Sequence, residues 1–212
     1  MSCFRYRVLA AAAIALLSVG SAVSAGVVYD NIGVASKGSD PVAADGPLAN
    51  SFSTGGSTVL LADVKLLLIG NPNSTASSTV SLLSDSGTSP GSVLQIIGTL
   101  SDSSLSASAQ VFDFVLATPY ALAANTRFWI GLSGPSSTTV GWNYAVDSSG
   151  IGTTGEYWAY SPGGTLTVRQ NSGTTSTPYQ MQLSAVPEPG SLGLFMIGSA
   201  ALAIARRRLV RP

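Results

Sequence analysis

The chain has 212 residues, 45% of them hydrophobic and only 9% charged, with ten basic and ten acidic side chains. It is too apolar for a solvated disordered polymer. Six of the ten cations sit at the ends, at Arg5, Arg7, Arg206, Arg207, Arg208 and Arg211. From Gly26 to Val186 four cations face nine carboxylates (4 − 9 = −5), so the footprint of a nucleic-acid binder is missing. There is no histidine, and Cys3 is the single cysteine, which excludes Ser-His-Asp and Cys-His catalytic sets and most zinc sites.

Met1 to Arg7 is a short basic stretch, Val8 to Leu17 an unbroken apolar core, and Ser18 to Ala25 ends in small residues with Val23 and Ala25 at the positions a signal peptidase reads. Ten apolar residues span roughly 15 Å as a helix, half of a bilayer's hydrocarbon, which favours a cleaved signal peptide over residues 1–25 rather than an anchor. Cys3 leaves with it, so the mature chain forms no disulfide.

Residues 26–185 read as one β-rich domain. Serine and threonine fill its polar positions and glycine punctuates it, but apolar residues recur with period two, the mark of strands with one buried face. In chain order the predicted strands are Val27 to Asn31, Asn50 to Thr54, Val64 to Leu68, Thr79 to Ser84, Val93 to Leu100, Val111 to Leu116, Arg127 to Leu132, Thr139 to Val146, Glu156 to Tyr160, Thr165 to Gln170 and Tyr179 to Ser184. Turns are predicted at Asp40-Pro41, Asp45-Gly46-Pro47, Asn71-Pro72-Asn73, Ser86 to Gly91, Gly134-Pro135 and Ser161 to Gly164, with Ala117 to Asn125 as a connector. About ten short strands without a helical stripe predict an all-β, jelly-roll-like sandwich. Gly46 to Thr54, Val80 to Asp85 with Ser89 to Ser92, Leu122 to Leu132 and Gly141-Trp142-Asn143 resemble the choice-of-anchor type R extracellular modules. That resemblance implies an exported β-sandwich and supplies no catalytic residues.

The carboxylates open to chemistry are Asp30, Asp40, Asp45, Asp63, Asp85, Asp102, Asp113, Asp147 and Glu156. A glycoside hydrolase needs two of them about 5–10 Å apart, and Asp63 and Asp113 share an outward phase that could oppose them across neighbouring strands. The sequence favours a solvated sheet face there, and turn chemistry at Asp40, Asp45 and Asp85. No Asp-x-Asp-x-Asp loop points to calcium, so neither catalytic residue, metal nor cofactor is expected and the protein is read as no enzyme. Among aromatic residues, Trp129 falls in opposite phase to Phe128, Ile130 and Leu132. It is therefore expected on the exposed face beside Arg127, where a ring and a guanidinium could contact a carbohydrate. Trp142 is expected in the core. Asn73-Ser74-Thr75 matches a glycosylation sequon.

Residues 186–212 change character. Val186-Pro187-Glu188-Pro189-Gly190 is an extended, helix-excluding element, Ser191 to Ala205 is apolar, and Arg206-Arg207-Arg208 follows. The apolar stretch is short for a membrane span, and arginines after it hold that end in the cytoplasm by the positive-inside rule. This tripartite order resembles the PEP-CTERM protein-sorting signal of Gram-negative bacteria. The resemblance implies that exosortase processes the chain near Pro187-Glu188-Pro189, after transient anchoring in the inner membrane and before delivery to the cell surface or matrix. It also implies a setting of exopolysaccharide and biofilm. Signal peptidase and exosortase are the expected processing partners, exopolysaccharide a possible ligand. Leu209 to Pro212 extend beyond the family's pattern.

Overall fold

The structure, a computed structural model, describes residues 26–172 and 176–187. Alternating apolar residues separated by Ser, Gly and Pro turns give twelve strands: β1 (Gly26–Asp30), β2 (Ser36–Pro41), β3 (Leu48–Ser53), β4 (Val59–Ile69), β5 (Ser77–Asp85), β6 (Pro90–Ser101), β7 (Gln110–Leu122), β8 (Arg127–Ser133), β9 (Gly141–Ala145), β10 (Tyr157–Tyr160), β11 (Thr167–Gln170) and β12 (Met181–Pro187). The one α-helix among the described residues is the single turn α1 (Val42–Asp45). All pairings are antiparallel. The first sheet runs β1-β12-β4-β9-β2, with β7 paired along the other side of β4; the second runs β11-β10-β3-β8-β5-β6.

The sheets close on one another over a core shared by both. Val64, Leu66 and Leu68 from β4 meet Phe128, Ile130 and Leu132 from β8, the phase expected from period two. Trp142 stacks on Tyr179 at 4.9 Å between ring centroids, and Trp158 meets Tyr179 edge-on at 6.0 Å. Polar ties cross the same space: Asn50 Nδ2 donates to the Tyr29 hydroxyl at 3.1 Å, and the Tyr179 backbone N–H donates to Asn50 Oδ1 at 3.1 Å. Satisfying buried polar groups in this way fixes how one sheet sits on the other.

Every predicted strand has a counterpart, and the exceptions are instructive. The sequence Ser-Lys-Gly-Ser-Asp-Pro has no apolar alternation, yet it forms β2 because it lies against β9, with Asp40 opposite Trp142. Asp40-Pro41, expected as a turn, ends that edge strand, where a proline removes no ladder bond. The expected connector from Ala117 belongs to β7 as far as Leu122, after an irregularity in its pairing with β4. Part of the expected Asp45-Gly46-Pro47 turn is the end of α1. Finally, Gly26 pairs with Ala185 and Val59 with Pro187, so the first and last described residues stand side by side at one end of the first sheet.

Candidate functional site

The expected carbohydrate contact is not on the surface. Trp129 is fully buried. β8 lies in the middle of the second sheet, with Ser51 of β3 on one side of Trp129 and Leu83 of β5 on the other. Ala49 and Ala159 leave space for the indole, and Leu83, Tyr157 and Val168 close around it on the face away from the main core. Its N–H donates to Asp85 Oδ1 at 2.8 Å. The ring is thus held on all sides, with no flat plane free for a sugar.

Arg127 is committed as well. Its Nε donates to Glu156 Oε2 at 3.2 Å and its guanidinium lies over the Tyr157 ring, 4.8 Å from the centroid. Glu156 is buried and also accepts a short hydrogen bond from Ser51 Oγ, which in turn accepts from the Tyr157 backbone N–H at 2.7 Å. This closed circuit ties β8, β3 and β10 together, and Ser51 is a member that sequence reasoning missed. A signal was present: Phe128 to Leu132 is apolar in both phases, the pattern of a strand covered on both faces.

Of the remaining carboxylates, the pair that the sequence offered is brought onto one face of neighbouring strands: Asp63 stands opposite Val115 and Asp113 opposite Lys65, two positions apart in register. Lys65 Nζ lies 3.8 Å from Asp113, and one Asp63 carboxylate oxygen is buried with no hydrogen-bond partner. Asp30 accepts from the Ile32 N–H and from Gln182 Nε2, Asp85 from the Thr88 N–H as well as Trp129, and Asp147 from Ser149. Asp40 accepts from the Tyr179 hydroxyl at 2.6 Å; burial pushes its carboxyl above the usual range, despite that bond. Burial and the adjoining Asp40 likewise push the Tyr179 hydroxyl up, keeping it a neutral donor.

Asp102 is the opposite case. Burial acts to raise it, but the Thr139 backbone N–H at 2.7 Å and the hydroxyls of Ser74, Thr138 and Thr139 prevail and hold its carboxyl below the usual range. It gathers the loops around Asn71, Asp102 and Thr139 at the end of the sandwich opposite Gly26. Among the described residues no three His, Cys, Asp or Glu side chains converge to hold a metal ion.

One cavity of about 530 Å³ opens on the outer face of the second sheet. Gly131 is part of its floor, with Leu83 and Val93 on one side and Leu166 on the other, and its lining holds neither a charged nor an aromatic side chain. It can accept apolar matter but offers a sugar no stacking plane and no ionic anchor.

The described residues therefore define an all-β protein of two antiparallel sheets. Residues 185–208 match the PEP-CTERM protein-sorting motif, which implies an exported protein sorted by exosortase after transient membrane anchoring. None of the curated proteins matches the chain. Of the expected sorting residues, Val186 and Pro187 are the end of β12, paired with Leu60 and Val59. Glu188, Pro189 and Arg206 to Arg208 lie outside the described residues, as do Val23 and Ala25. No helix among the described residues is long and apolar enough to cross a membrane, and Ser191 to Ala205 are not among them.

Proposed function

We propose that the mature body is a non-enzymatic surface or extracellular-matrix protein of a Gram-negative cell, associated with exopolysaccharide in biofilm. It is freed of its leader by signal peptidase and of its tail by exosortase. The observation that carries this reading is the sorting motif at residues 185–208, which begins within the last strand of a β-domain, Met181–Pro187. The body's likeness to choice-of-anchor type R modules supports it. So does the repeated crossing of consecutive strands between sheets, β2 to β3 to β4 to β5 and β7 to β8 to β9 to β10, which favours a jelly-roll-like sandwich. The pairing of Asp113 with Lys65, and the use of Asp30, Asp40, Asp85 and Asp102 as hydrogen-bond acceptors, favours a non-catalytic role over a hydrolase that uses Asp63 and Asp113. A carbohydrate-binding module is the weaker reading, because Trp129 and Arg127 are both taken up inside the protein.

The test is expression in a host with exosortase, followed by intact mass and matrix fractionation. The expected product lacks residues through Ala25 and most residues after Val186, and glycosidase treatment of the matrix releases it. Replacing Pro187-Glu188-Pro189 by alanines leaves it at the inner membrane. An exported protein with an intact tail, or release of reducing sugar by the purified body, overturns the proposal.

A further inference from the structure

We propose that the sorting cut falls C-terminal to Pro187 without opening the last strand, so that Ala185, Val186 and Pro187 stay with the body and Pro187 serves the fold as well as the signal. The inference rests on the reading above that exosortase removes the tail, and it adds which bonds the fold leaves open to that enzyme.

The sorting motif and the fold overlap: the motif begins at residue 185, and β12 runs to Pro187. The three shared residues are held in the sheet. Ala185 is buried and paired on both sides, with Gly26 of β1 and Leu61 of β4. Val186 stands opposite Leu60 and Pro187 opposite Val59. β4 is flanked there by β7 as well, with Leu61 facing Tyr120, Leu60 facing Ala121 and Val59 facing Leu122. Three rows of the sheet thus run across β12, β4 and β7. A cut before Pro187 would take the outermost of these rows apart and leave backbone groups of β4 without their partners.

Pro187 is placed where the ladder loses nothing by it. Met181 turns both its N–H and its C=O toward Asn31, on the β1 side. Backbone groups alternate between the two sides of a strand, so Pro187, six residues on, turns the position of its missing N–H the same way, beyond the start of β1 at Gly26. The first proline of the signal is therefore also a strand end that needs no partner on that side. Processing enzymes take their substrate as free, extended chain, and bonds inside a paired strand are reached only by opening it. Pro187–Glu188 is the first bond beyond β12. The step breaks one peptide bond at or after that point. Its carbonyl carbon passes to water or to an amine acceptor, and its nitrogen leaves with the tail, taking up the proton that the acceptor gives.

The test takes the exported protein from a host with exosortase, digests it and sequences its C-terminal peptide by mass spectrometry. The last residue should be Pro187 or a later one. A last residue at or before Val186 overturns this inference and leaves the sorting reading standing, whereas an uncut tail overturns both. A second arm staples the strand. Leu60→Cys with Val186→Cys joins directly opposite residues of β4 and β12, in a chain whose one native cysteine is Cys3. The stapled protein should lose its tail at the same bond, and as completely as either single-cysteine variant. A stapled protein that keeps its tail while both single variants lose theirs shows that β12 must open, and overturns the inference. If the two thiols stay unlinked, the C-terminal peptide of the wild-type protein decides.

Discussion

The space between the sheets and the outer face of the second sheet both bury a tryptophan completely, but by different means. Trp142 belongs to a large shared core, stacked on Tyr179 and donating to the Gln180 carbonyl at 2.9 Å. Trp129 is enclosed by only a few neighbours on a face that has no second sheet over it, and it owes its burial to small residues, Ala49 and Ala159, and to flanking side chains that fold over it. Burial in a sandwich is thus not confined to the interior: a central strand with small neighbours can sink a large ring into the back of its own sheet.

Substitutions can break or sharpen this contrast, and urea melts of the exported protein are the measurement. Trp142→Ala should cost the most, about 3–5 kcal/mol, since its cavity opens in the shared core where little can collapse to fill it. Trp129→Ala should cost somewhat less, about 2–4 kcal/mol, because water and flexible neighbours can reach the emptied site. A loss below about 0.5 kcal/mol, typical of surface changes, would erase the second buried layer altogether.

Asp102→Asn should cost about 1.5–3 kcal/mol near neutral pH by weakening hydrogen bonds to a charged acceptor. The sign with pH follows from the depressed carboxyl. In the folded protein it stays ionised below the ordinary 3.8, so its stabilisation is present above that value and is lost as pH falls through the lower folded one. The wild-type protein should therefore lose stability on acidification in that window and the variant should lose less of it; parallel profiles would refute the role given to Asp102. The smallest effect in the series is Trp129→Phe, about 1 kcal/mol, which keeps a ring while deleting the donor to Asp85. If it matches Trp129→Ala, the hydrogen bond rather than the packing dominates that site.

The strands were legible where one face is apolar and the other polar, as in Val64 to Leu68, because the period alone says which side is buried. Where a strand is covered on both faces the same rule misleads: it placed Trp129 outside by assuming that the phase opposite Phe128 must meet water. β2 was illegible for the converse reason, as its residues form a strand through the neighbour they pair with rather than through their own alternation. The Ser51–Glu156–Arg127 circuit joins residues more than a hundred positions apart, and only pairing of β3 with β8 and β10 brings them together. The tail, by contrast, is a linear signal whose order is itself the information, and it needs no fold to be read.

The pairing of Gly26 with Ala185 places the first and last described residues at a single corner of the body. From Val59, beside that corner, β4 runs eleven residues to Ile69, roughly 35 Å at strand rise. That corner and the loops beyond Ile69 are therefore opposite poles of the body. Its far tip is the rim of loops around Asn71, Asp102 and Thr139, which the buried Asp102 carboxylate locks into one shape. The pole farthest from the sorting motif is thus one that a single buried carboxylate draws together through the hydrogen bonds it accepts from Thr138 and Thr139.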